Sequence, residues 1–202
     1  FSSDRKTFMS TTIRTPDDFH VHLRDGAMLA AVAPFTASQF ARALVMPNLQ
    51  PPVRSVADAS AYRDRIMEAL GTDSKFQPLM TLYLTDTTTA QDIKDAKESG
   101  FVVACKLYPA GATTNSAHGV TSLDRIAAVL RAMEATGLVL CIHGESTAAD
   151  VDIFDREAVF IDRTMTALVH DYPALKVVFE HITTAEAVDF VTSASDRVGA
   201  TI

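Results

Sequence analysis

Two hydrophobic periods alternate along the chain. Val102-Val103-Ala104-Cys105, Leu138-Val139-Leu140-Cys141-Ile142 and Val177-Val178-Phe179 are continuous apolar runs, the pattern of strands buried on both faces of a parallel sheet. Between such runs lie longer segments with apolar residues at helical spacing, such as Val56, Ala59, Tyr62, Ile66 and Leu70. That stripe opens with Ser55 and Asp58 at the spacing of a capping box and stops at Gly71. Boxes of the same form begin at Thr89 with Asp92, Thr121 with Asp124 and Thr183 with Glu186, each predicting a helix start. Residues 28–40 read as a further helix, interrupted at Pro34. Strands are predicted within residues 16–25 and over 42–46, 78–84, 102–107, 138–143, 176–181 and 198–202.

Seven strands alternating with helices admit either a doubly wound open sheet or a (β/α)8 barrel. No G-x-G-x-x-G or Walker loop is present. Polar residues stand at the C-terminal ends of the first, second, fourth, fifth and sixth strands, whereas an open sheet gathers its ligands at one switch point. The predicted class is therefore α/β, a TIM barrel of the metal-dependent hydrolase type, incomplete with about seven strands. Residues 1–12 read as an N-terminal extension and 13–202 as the N-terminal part of one barrel domain of a longer protein.

Composition narrows the function. With 48% apolar residues over 202 positions the chain can bury one large core. A net charge of −7, with no Lys/Arg run, argues against nucleic acid or a membrane surface as partner and leaves a small polar substrate open. No apolar run approaches the ~20 residues of a membrane span. Cys105 and Cys141 lie inside apolar runs and read as buried free thiols of a reducing compartment. The first dozen residues begin with Phe and carry Ser, Thr, Arg and Lys, so the expected location is cytoplasmic, or plastid if this extension is a transit-peptide remnant.

The chemistry collects at the strand ends. In Asp18-Phe19-His20-Val21-His22-Leu23-Arg24-Asp25, a strand period of two sends His20, His22 and Arg24 to one face and Phe19, Val21 and Leu23 to the other. Two imidazoles then stand roughly 6–7 Å apart at Cα, a metal-ligand spacing, although a polar edge strand with two histidines has the same pattern. Asn48 follows strand two, Lys106 lies in strand four, His143 ends strand five and His181 ends strand six. A protonated lysine beside bound cations would be repelled, so Lys106 lies outside the site or its amine is converted. A neutral amine that takes up CO2 becomes a carbamate able to bridge two metals, and Zn2+ suits such nitrogen and oxygen donors. His118 and His170 read as solvated surface, and Asp150, Asp152 and Asp155 as an acidic run at a helix start.

His20-Val21-His22, Lys106, His143 and His181 in this strand order resemble the amidohydrolase superfamily. The local sequences resemble the dihydroorotases of de novo pyrimidine synthesis, of the short, single-function bacterial and plant type. The matching stretches include Asp18 to Gly26, Val45-Met46-Pro47-Asn48, Lys106-Leu107-Tyr108-Pro109-Ala110, Thr113-Thr114-Asn115-Ser116, His143-Gly144-Glu145 and Phe179-Glu180-His181-Ile182-Thr183-Thr184.

The resemblance implies two Zn2+ per subunit, one held by His20 and His22 and the other by His143 and His181, with carboxylated Lys106 bridging them. It implies interconversion of dihydroorotate and N-carbamoyl-L-aspartate by metal-activated water. Arg24, Asn48, Thr113, Thr114 and His143 face the substrate, and residues 108–122, by composition an ordinary surface loop, act as a lid. The acid–base aspartate of the family lies beyond residue 202, so no residue here is assigned that role. A homodimer is implied as well. A hydantoinase or allantoinase shares the histidines and lysine, but Arg24, Asn48 and the threonine pair favour an acidic pyrimidine precursor. A non-catalytic dihydroorotase-like scaffold would lose ligands, whereas each ligand position within the chain is filled.

Overall fold

Strand order in space follows strand order in the chain. The computed structural model describes residues 11–202, and within them seven strands form one sheet in the order β1 to β7 with every neighbouring pair parallel. They are β1 (Asp17–Val21), β2 (Arg42–Val45), β3 (Gln77–Tyr83), β4 (Val102–Leu107), β5 (Val139–His143), β6 (Val177–Glu180) and β7 (Val198–Ala200). β1 and β7 do not pair, so the barrel is open between them. The incomplete barrel read from the sequence is the observed architecture. The 1–12 extension lies, for residues 1–10, outside the described residues.

Helices cover the outer face: α1 (Gly26–Gln39), α2 (Val56–Leu70), α3 (Ala90–Ser99), α4 (Ala127–Thr136), α5 (Arg156–Phe160), α6 (Thr166–Asp171) and α7 (Ala185–Ser193), with a π turn over Ile161–Met165 joining α5 to α6. Tyr62 and Ile66 of α2, Ile93 of α3, and Leu130 and Met133 of α4 are fully buried against Leu82, Cys105, Leu107, Leu140 and Phe179 of the sheet. Each such aliphatic side chain contributes about 1.5–3 kcal/mol. The opposite parity, Leu44, Met46, Ala104 and Cys141, packs inside the curl of the sheet. Both cysteines are buried and free, one on each face. No helix among the described residues is long and apolar enough to cross a membrane.

Several local expectations need correction. α1 runs through Pro34 without interruption, because Pro34 and Ala30 are both exposed and the carbonyl deprived of its donor stays hydrated. The capping boxes at Ser55 and Thr89 form as read. At Thr121 the hydroxyl instead donates to Asp86 Oδ2 at 2.6 Å, and Ser122 caps a 3-10 turn over Leu123–Ile126. Thr184, not Thr183, caps α7, while buried Glu157 accepts from both backbone N–H groups and from the Thr184 hydroxyl. β1 ends at Val21, and Arg24 lies in irregular backbone with φ of 59°, so it leaves the strand alternation that His20 and His22 keep. Phe19 is 61% exposed because β1 is an edge.

Candidate metal centre

Parallel register carries the inward positions of neighbouring strands to one level. Tyr83 pairs with Lys106, Lys106 with Cys141, and His143 with Glu180. His20 and His22 arrive from β1 and His181 from the residue after β6, turned inward at φ of 44°. The curl brings these ends together. Ring centroids of His20 and His22 are 5.2 Å apart, those of His20 and His181 5.3 Å, and those of His143 and His181 4.8 Å.

The ring nitrogens meet in two pairs. His20 Nε2 lies 3.3 Å from His22 Nε2, and His143 Nδ1 lies 3.2 Å from His181 Nε2. Two nitrogens bound to one tetrahedral zinc at 2.0–2.1 Å are separated by ~3.3 Å, so each pair has the span of one ligand edge. Among the described residues no three His, Cys, Asp or Glu side chains together could hold one ion. Each pair offers two imidazoles to an ion, and further donors would be needed to complete a tetrahedral set.

Outer partners fix how the first pair presents itself. His22 Nδ1 donates to Asn48 Oδ1 at 2.7 Å, and His20 Nδ1 donates to Glu180 Oε2 at 2.8 Å. Protons on both Nδ1 atoms leave the two Nε2 lone pairs facing one another, an arrangement that a cation between them stabilises. Burial, reinforced by His20 and Arg24, lowers the His22 pKa to about 4. Burial and the Lys106 charge lower that of His181 to about 4, and the same two causes lower that of His143. Neutral imidazole is the ligating form.

Lys106 lies in the same curl, and its charge acts on His22, His143 and His181. Its side chain is fully buried, its Nζ has no hydrogen-bond partner, and the nearest aromatic face is Tyr108, 5.2 Å from Nζ to centroid. Burial lowers its pKa to about 8, against the opposing pull of Glu180. Burial pushes the Glu180 carboxyl up, yet hydrogen bonding from His20, the Lys106 charge and the Thr201 hydroxyl outweigh this and hold it below its ordinary range. Glu180 Oε1 and His143 Nε2 are likewise buried without hydrogen-bond partners. Glu145 Oε2 approaches His143 Nε2 to 3.3 Å but off the N–H direction, so it is a charge neighbour only. The amine and these two other buried atoms lack hydrogen-bond partners, a need that a further donor such as a carboxylated lysine would meet.

The remaining expected residues are placed differently. Asn48 is buried and committed to His22, with Nδ2 reaching the Thr114 carbonyl at 3.5 Å. The Arg24 guanidinium acts on the charge of His22 and has no carboxylate partner among the described residues. Thr113 and Thr114 are exposed, and their loop is held by Ser116, whose hydroxyl donates to the Thr113 carbonyl at 2.6 Å, and by the Asn115 amide on the Asn48 carbonyl at 3.1 Å. His118 and His170 are exposed as read, and Asp152 caps its turn. A cavity of about 650 Å3 is lined by none of the four imidazoles; it lies between residues 109–110, 120–124 and 145–148 with Phe160 and Arg163 on its wall. Glu180 and Thr201 were not singled out by sequence. A carboxylate in a buried strand is the signal that could have marked Glu180.

Residues 13–199 match the amidohydrolase family. A dihydroorotase of Cupriavidus necator is 64% identical over 191 residues, 95% of this chain and 56% of its own length. In solved structures, a dihydroorotase of Campylobacter jejuni superposes with a TM-score of 0.87 at 35% identity, covering 98% of this chain and 57% of that one. A Saccharomyces cerevisiae dihydroorotase in complex with 5-fluoroorotic acid gives 0.83 at 31% identity, covering 93% and 55%. The chain thus spans a little over half the length of these relatives. Paired imidazoles at strand ends of a parallel α/β barrel, matched nearly end to end, make this chain a member of the amidohydrolase family.

Proposed function

We propose that the protein carrying this chain is a dihydroorotase that opens the ring amide of dihydroorotate with water to give N-carbamoyl-L-aspartate, and closes it in reverse. The observation that carries the reading is the pair of imidazole edges, 3.3 and 3.2 Å, set around an unpartnered buried amine. Similarity to dihydroorotases, one of them bound to an anionic pyrimidine, supports the substrate class.

His20 and His22 would hold one Zn2+, His143 and His181 the second, and Lys106 would join them. The Lys106 ammonium first gives up one proton; the neutral nitrogen then adds to the carbon of CO2 and loses a second, so the amine becomes an N-carboxylate with two oxygens. When bound, the metal pair polarises the amide carbonyl and activates water. The chain's own residues do the rest. Glu180 keeps the His20 proton on Nδ1, and Asn48 does the same for His22. Arg24 offers a bidentate fork for the substrate carboxylate. The 113–116 loop, anchored on Asn48, brings Thr113 and Thr114 over the ring and excludes water. We extend the reading to a homodimer in the cytoplasm, or in a plastid if the first residues are a transit-peptide remnant.

The test is metal analysis and turnover of the full-length protein. Two zinc ions per subunit and hydrolysis of dihydroorotate, in preference to hydantoin or allantoin, are expected. Metal-free protein with full activity, or preference for an uncharged cyclic amide, overturns the reading.

A further inference from the structure

Thr201, just past β7, touches both halves of the candidate centre through one oxygen. Its Oγ1 donates to Glu180 Oε2 at 2.6 Å and accepts the His181 backbone N–H at 2.6 Å. Glu180 Oε2 in turn receives His20 Nδ1 at 2.8 Å. His181 has φ of 44°, which turns its N–H away from an ordinary strand ladder and leaves that donor in need of an acceptor. The backbone of Thr201 is pinned as well, since its N–H donates to the Phe179 carbonyl and its carbonyl accepts from Ile182, so the hydroxyl cannot drift.

We propose that Thr201 is a positioning residue for the metal centre: its hydroxyl orients Glu180 toward His20 and braces the backbone of His181, coupling one imidazole of each pair. A hydroxyl has a single hydrogen. Accepting from His181 directs that hydrogen to Glu180, which selects Oε2 as the oxygen facing both Thr201 and His20. The His20 ring is then held with Nδ1 protonated and Nε2 free toward His22. This inference rests on the reading of His20 and His181 as metal ligands, and it assigns a residue outside that ligand set.

The experiment uses the full-length protein, stripped with a chelator and titrated with Zn2+ against a competing indicator. Thr201→Val removes the hydroxyl and keeps the shape, and is expected to lower metal affinity roughly 10- to 100-fold. Thr201→Ser restores the hydroxyl and is expected to restore the affinity. His20→Ala serves as the control for the underlying reading: if it binds zinc like wild type, the ligand assignment falls. If His20→Ala loses zinc while folded Thr201→Val retains wild-type affinity, the positioning role falls and the ligand assignment stands. A pure packing role would lower the Tm of the metal-free form and leave the affinity of the folded protein unchanged. Should Thr201→Val not fold, NMR of the metal-free wild type decides. A slowly exchanging Thr201 hydroxyl proton close to the His181 amide, with His20 as the Nδ1–H tautomer, is expected. A rapidly exchanging hydroxyl or an Nε2–H tautomer overturns the proposal.

Discussion

His22 Nδ1 and Asn48 Oδ1 are 2.7 Å apart, and the other end of the same amide points at the Thr114 carbonyl. One side chain thus sets a histidine tautomer and anchors the loop above it. Asn48→Asp keeps the acceptor and loses the donor. It should retain metal yet speed amide exchange in the 113–116 loop, whereas Asn48→Ala should also weaken metal binding by roughly 10- to 100-fold. Equal metal affinity in wild type and Asn48→Ala would show that His22 needs no outer partner.

Lys106 ties the metal-free fold to pH. With its pKa at about 8 in the folded state against an ordinary 10.5, the unfolded chain holds the proton more tightly. Stability of the metal-free protein should therefore rise with pH between about 8 and 10.5, by an amount on the order of 3 kcal/mol. Lys106→Met should abolish that rise, lose metal, and be more stable than wild type near neutral pH. Urea unfolding across the pH range, with and without the substitution, measures this.

Arg24→Lys keeps the charge and removes the fork. Metal content should be unchanged while kcat/KM for dihydroorotate falls at least tenfold, about 1.4 kcal/mol of transition-state binding. Unchanged kcat/KM would remove Arg24 from the substrate carboxylate.

Gly144 follows His143 under the Phe179 ring, and a Cβ built there would stand 1.8 Å from that ring. Gly144→Ala should destabilise by about 1–3 kcal/mol and displace His143. A second substitution, Phe179→Leu, makes room and should recover part of the loss in denaturant unfolding.

The legibility of the chain followed the range of the interactions. Continuous apolar runs marked β4, β5 and β6 to within a residue or two, because strands buried on both faces leave no other reading. The caps at Ser55 and Thr89 are local, and they formed as read. Thr121 and Thr183 failed because Asp86 and Glu157, distant in sequence, took over their partners. The candidate ligands were visible as residue types at strand ends, and the curl brought all four imidazoles together. Glu180 and Thr201 were hidden for the opposite reason, since their meaning depends on a contact between β1, β6 and the segment after β7.

That contact spans 160 positions, from His20 to Glu180, between strands five places apart in the pairing order. During synthesis at 5–20 residues per second, His20 and His22 emerge about 10 to 30 s before the segment that completes their surroundings. Under the proposed ligand set they would until then be only a two-nitrogen chelate on an unsupported strand, weak and unselective for metal. With those ligands, tight loading waits for β1, β6 and the segment after β7 to meet, so metal binding would report that these distant segments have come together.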